Sequence, residues 1–165
     1  MAAYDALDWH DFYVMTGGAA AALTGLLFVA MSLHSKAITS NRFFSNRAIG
    51  SLLSLMLQLF ISAAVLVPQQ TTTQAGAEVE LGALFFLVFT VSSILRGVFR
   101  LAPSSAKRRV GEWIGGIVWI ALFLASGVSL ILEAGGGFYL LAIVMVLMFG
   151  WNVYNAWILI AEVSD

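Results

Sequence analysis

The stretch Phe12–Leu33, FYVMTGGAAAALTGLLFVAMSL, decides what kind of chain this is. It holds no charged residue. At about 1.5 Å of rise per residue, a helix of this length covers roughly the 30 Å hydrocarbon core of a bilayer. Lipid offers no water to backbone amides, so a lone crossing segment must close its hydrogen bonds within itself, as a helix does. On a helical wheel Gly17, Ala21, Thr24, Gly25 and Ser32 share one side, with Gly18 and Ala22 adjoining. Helices in lipid gain little from burying apolar surface against each other and associate instead by close approach over small residues. Gly17, Ala21 and Gly25 are therefore expected to form a packing seam, either for other helices of the chain or for copies of this one.

Four more apolar segments follow, at about 48–67, 81–99, 113–132 and 138–160. With the first, at 12–33, they predict a single all-α domain over 1–165, an integral membrane bundle of five transmembrane helices. The composition agrees. The chain is 61% hydrophobic and 10% charged, with a mean hydropathy of +0.94, whereas a soluble domain carries about 25% charged residues. Residues 34–47 read as a loop, and so does the polar run QQTTTQAGAEVE after Pro68. With those limits no Asp or Glu falls inside a span, which leaves a carboxylate proton relay nothing to run on. Glu133 and the three glycines Gly135, Gly136 and Gly137 predict a tight turn.

Charge placement predicts the topology. The Lys and Arg residues number 8, and they fall beside two places only: the loop after the first span, and the region between the third and fourth. Both lie on one side of a five-span bundle, so the positive-inside rule puts them in the cytoplasm, the N-terminus outside and the C-terminus inside. The first eleven residues, with Asp5, Asp8, Asp11 and Trp9, lack the basic start of a secretory signal and read as an interfacial segment.

Several chemistries have no residues to carry them. A net charge of −1 argues against a nucleic-acid partner. There are no cysteines, hence no disulfides and no thiolate metal sites. The two histidines, His10 and His34, stand at opposite ends of the first helix and cannot share a metal within one chain. No phosphate-binding loop or nucleophile elbow is present. The expectation is a protein that is not an enzyme and that holds neither cofactor nor metal.

The most informative pattern lies in the second span. With Arg47 as zero on the wheel, Ser51, Ser54, Gln58, Ser62 and Gln69 fall within an arc of about 80°, and the rest of the wheel is apolar. A glutamine facing lipid at mid-membrane is costly, so the stripe must face protein or water. Two readings follow. In one, the stripe bonds neighbouring helices inside the bundle. In the other, it lines a water-filled pore where copies of the second helix meet around an axis. In that pore the basic Arg47 mouth, with no acidic ring to oppose it, predicts a modest preference for anions. A second set, His34, Arg96, Asn152 and Asn155, falls at similar depth near the basic side and could meet an anionic ligand or a lipid headgroup.

The segment GGAAAALTGLLFVAMSLH, with WHDF just before it, resembles the opening of a group of small uncharacterised bacterial multi-pass membrane proteins. The resemblance covers mainly the first span and implies a bacterial inner membrane, with nothing about activity. Two functions are expected from the residues. One is a homo-oligomeric membrane channel with the second helix lining the pore. The other is an accessory or regulatory subunit whose polar and glycine faces bind another membrane protein.

Overall fold

The computed structural model describes residues 2–35, 42–98 and 106–163. Two short 3-10 turns, Ala2–Tyr4 and Ala6–Trp9, lead into five α-helices: α1 (His10–Leu33), α2 (Arg42–Val65), α3 (Thr72–Val98), α4 (Ala106–Ile131) and α5 (Phe138–Val163). The second turn is started by Asp5, whose carboxylate accepts a hydrogen bond from the Leu7 amide at 3.0 Å. No strand occurs among the described residues. The expected all-α fold is what the chain forms.

Three helices begin well before the hydropathy indicated, α4 at Ala106 among them. Helix α2 starts at Arg42, so Arg47 sits within it rather than at its edge. Helix α3 starts at Thr72, inside the polar run expected as a loop. The cause is a capping box. Thr71 Oγ1 accepts from the Gln74 amide at 3.2 Å, and Gln74 Oε1 accepts from the Thr71 amide at 2.9 Å. These two bonds satisfy amides that a helix start otherwise leaves open. Glu78 and Glu80 therefore lie on α3, within its apolar stretch Thr72–Ser92, which corrects the expectation that the spans hold no acid.

Among the described residues, four helical stretches are long and apolar enough to cross a membrane: Ala6–Leu33, Arg47–Val65, Thr72–Ser92 and Phe138–Trp157. In α4 the apolar stretch among the described residues is shorter, Gly115–Ile131. Large apolar side chains point outward from every helix, among them Phe28, Phe60, Phe85, Ile117 and Ile143. A soluble monomer rarely exposes so continuous an apolar surface. This one suits a lipid surround.

The helices run alternately up and down. Helix α1 packs chiefly along α2, which also touches α3 and α5; α3 and α4 pack against each other as a hairpin, and α5 closes on α4. The main core gathers Tyr13, Ile61, Val79, Phe123, Phe138 and Met145, with at least one residue from each helix. Helices α3 and α4 approach each other closely at Gly76. A Cβ there would lie 2.9 Å from the Gly127 carbonyl oxygen and 3.0 Å from the Ile131 amide nitrogen.

The turn between α4 and α5 is built from backbone conformations that favour glycine. Glu133 takes φ +49°, and Gly135, Gly136 and Gly137 all have positive φ. The Ala134 amide bonds the Ser129 carbonyl at 3.1 Å and the Glu133 amide bonds the Leu130 carbonyl at 3.3 Å, the paired bonds of a Schellman stop. The N-terminal segment lies over this turn. Tyr4 Oη accepts from the Gly136 amide at 3.0 Å, its carbonyl accepts from Thr72 Oγ1 at 2.8 Å, and a side chain at Gly137 would run into the Ala3 carbonyl.

Candidate functional site: a buried polar seam

The polar stripe of α2 is buried inside the bundle of its own chain. Ser51, Ser54, Gln58 and Ser62 recur at three- and four-residue steps, so they share one face, and each is buried. Near one end of the bundle Ser62 Oγ lies 3.1 Å from Thr16 Oγ1 of α1. Farther along, Ser54 Oγ lies 2.5 Å from Asn152 Oδ1 of α5. At the far end Arg47 Nε donates to Asn155 Oδ1 at 2.8 Å, and Asn155 Nδ2 donates to the Trp151 carbonyl at 2.9 Å. The stripe is thus enclosed by α1 on one side and α5 on the other.

Not every polar group along this seam has a protein partner. Gln58 has no exposed surface, and neither its Nε2 nor its Oε1 meets a donor or acceptor. Asn152 Nδ2 and the Tyr13 hydroxyl are also buried and unbonded. Ser54 is instructive because its one proton cannot serve two acceptors, yet its oxygen also lies 2.9 Å from the Ser51 carbonyl. If Ser54 donates to Ser51, it accepts from Asn152, which requires the amide turned so that nitrogen faces it. In either orientation one atom of the Asn152 amide is left over. An unmet buried amide group costs about 1–3 kcal/mol, so these positions are unusual for residues kept only for packing.

The predicted site residues divide accordingly. Arg47, Ser51, Ser54, Gln58 and Ser62 share the seam, whereas Gln69 does not. Helix α2 ends at Val65, ahead of Pro68, and Gln69 stands exposed in the following turn with φ +59°. The wheel that aligned it with Arg47 has no helix to apply to. Of the expected ligand set, Asn152 and Asn155 turn to α2, while His34 caps α1, its Nδ1 3.1 Å from the Ala30 carbonyl. The Arg96 side chain lies outside the described residues. No cluster of His, Asp and Glu that could hold a metal occurs among the described residues.

The packing face of α1 is rotated from the one the small residues indicated. Tyr13, Thr16, Ala20 and Leu27 are buried; Gly17 is half-buried; Ala21 and Gly25 face outward. Polar side chains decide the rotation. Tyr13 and Thr16 are better placed inside than in lipid, and turning them in carries Gly17 against Ser62 while leaving Gly25 outside. A Cβ on Gly17 would lie 3.1 Å from Ser62 Cβ, and one on Gly25 meets nothing within 4 Å. Gly17→Leu should therefore lower the melting temperature of the monomer in detergent, by overpacking worth about 1–3 kcal/mol, and Gly25→Leu should leave that of the monomer unchanged. Equal losses in the two variants would contradict this placement.

Sequence reasoning missed Thr16 as a seam member. The available signal was depth: Thr16 stands six residues into α1 and Ser62 three residues before the end of α2, at the same end of the bundle. A carboxylate lies apart from the seam. Glu80 on α3 packs against Gly127 of α4, and its Oε1 is buried without a partner.

No protein-family model, curated protein or solved structure matches the chain. Fold and surface alone define the class: an all-α chain whose long apolar helices suit a membrane, with a polar seam through its interior.

Proposed function

We propose that the protein is a small membrane channel whose pathway is the seam between α1, α2 and α5 of a single chain, with α2 supplying most of its lining. The observation that carries this reading is Gln58: a fully buried amide with both polar atoms unbonded. It stands on the same face as a hydroxyl pair toward one end and a serine–asparagine pair toward the other. A polar file running from Thr16 to Arg47 provides stepping points for a species that has left water. Enclosure of the stripe within one chain favours one pathway per chain over a common pore between copies.

Copies are expected to assemble through the outer face of α1, where Gly18, Ala22 and Gly25 are exposed, and small residues permit close approach. The same face supports the second reading, an accessory subunit that docks another membrane protein there. The basic ends of the helices belong in the cytoplasm of a bacterial inner membrane, with the N-terminal segment outside.

The test is solute passage into liposomes as the protein-to-lipid ratio falls. One pathway per chain predicts a rate proportional to protein density. A pore assembled between copies predicts a steeper, higher-power dependence, and the absence of any passage leaves the accessory-subunit reading.

A further inference from the structure

We propose that the Gln58 amide binds a small neutral molecule carrying a hydrogen-bond donor and acceptor side by side, a urea or a primary amide, and that this is the class of solute the pathway takes. The inference rests on the seam being a pathway and goes on to name what passes. Ser62 and Thr16 bond each other, and Ser54 bonds Asn152. Gln58, one helical turn from both serines, is left with an open N–H pair and an open carbonyl on one planar group. A ligand of the same build answers both at once, accepting from Nε2 and donating to Oε1 in a two-bond ring. The spare atom of the Asn152 amide offers a further bond along the same file.

Ions fit this arrangement poorly. A cation meets Oε1 and faces the Nε2 protons; an anion meets Nε2 and faces the carbonyl. None of the seam residues between Arg47 and the opposite end, namely Ser51, Ser54, Gln58, Ser62, Thr16 and Asn152, carries a formal charge. A bare ion leaving water there finds no countercharge to offset its lost hydration. A neutral amide gives up hydrogen bonds only, and the side chains of the seam replace them. Discrimination follows from the same feature, because a site built to hydrogen-bond its ligand rejects an analogue that leaves the buried groups unmet.

The experiment uses the full chain in liposomes of phosphatidylcholine and phosphatidylglycerol, with shrinkage and reswelling followed by stopped-flow light scattering after an inward urea gradient. Reswelling should be several-fold faster than in protein-free liposomes. It should return to the protein-free rate in Gln58→Leu and fall between the two in Gln58→Asn, with melting in detergent showing both variants folded. Urea entry unchanged in Gln58→Leu overturns the proposal. So does passage of KCl or of water alone with urea excluded, a result that keeps the pathway but refutes the solute class. Failure of urea, water and salt alike to pass overturns the pathway itself.

Discussion

Gln58→Leu is expected to have two effects of opposite sign: a more stable protein and a lost pathway. Leucine has a similar volume and removes a donor and an acceptor that are buried and unbonded. Each such group costs about 1–3 kcal/mol, so the substitution should raise the melting temperature in detergent while abolishing solute passage. A purely structural glutamine predicts the reverse. Had its amide bonded a neighbouring helix, truncation would lower stability and leave any passage intact in the molecules that stay folded. Measuring melting and liposome flux on the same preparation separates the two, because a stabilised but inactive variant is compatible only with a group held for a ligand.

The second large effect belongs to the α3–α4 contact. Gly76→Ala should destabilise the protein by about 1–3 kcal/mol, the usual range for forcing a methyl group into a filled site. The new Cβ would lie 2.8 Å from Ile131 Cγ1, 2.9 Å from the Gly127 carbonyl oxygen and 3.0 Å from the Ile131 amide nitrogen. Two of these are backbone atoms, so the helices themselves must separate. Gly127→Ala is the control. Its Cβ would lie 2.5 Å from Glu80 Oε1 and 2.9 Å from both Glu80 Cδ and Cγ, but all three belong to one flexible side chain that can turn aside, with no backbone atom among them. Thermal melting in one detergent should place Gly76→Ala well below wild type, with Gly127→Ala much closer to it. Similar losses would mean that the hairpin does not close at Gly76.

The helices themselves were readable because uninterrupted apolar length has one meaning in lipid, and the polar stripe of α2 because a three- and four-residue recurrence has one meaning on a helix. What faces what was harder to read. A helical wheel shows that Ser51, Ser54, Gln58 and Ser62 share a side but not whether that side meets α1 and α5 or another copy, since both satisfy the same demand to leave lipid. Gly17, Ala21 and Gly25 illustrate the converse: a small-residue stripe is suited to packing, yet two polar side chains one step around the helix, Tyr13 and Thr16, took the interior position. The start of α3 was missed because hydropathy outweighed capping, although Thr71 followed by Gln74 three residues later is a sequence-level start signal. Gln69 was misplaced by extending a wheel beyond Pro68, where the helix had already ended.

The central claim, that water and solute reach the stripe of α2 inside one chain, is tested most directly by cysteine substitution, for which the natural chain offers a background with no cysteine. Ser54, 4% exposed, faces the seam, and Met56, 51% exposed, faces outward on the same helix. A small water-soluble thiol reagent applied to the protein in liposomes should modify Ser54→Cys and leave Met56→Cys nearly unreacted, because thiolate forms in a wet seam and not in hydrocarbon. Rapid modification of Met56→Cys with an inert Ser54→Cys would place the aqueous surface on the outside of the chain and contradict the account.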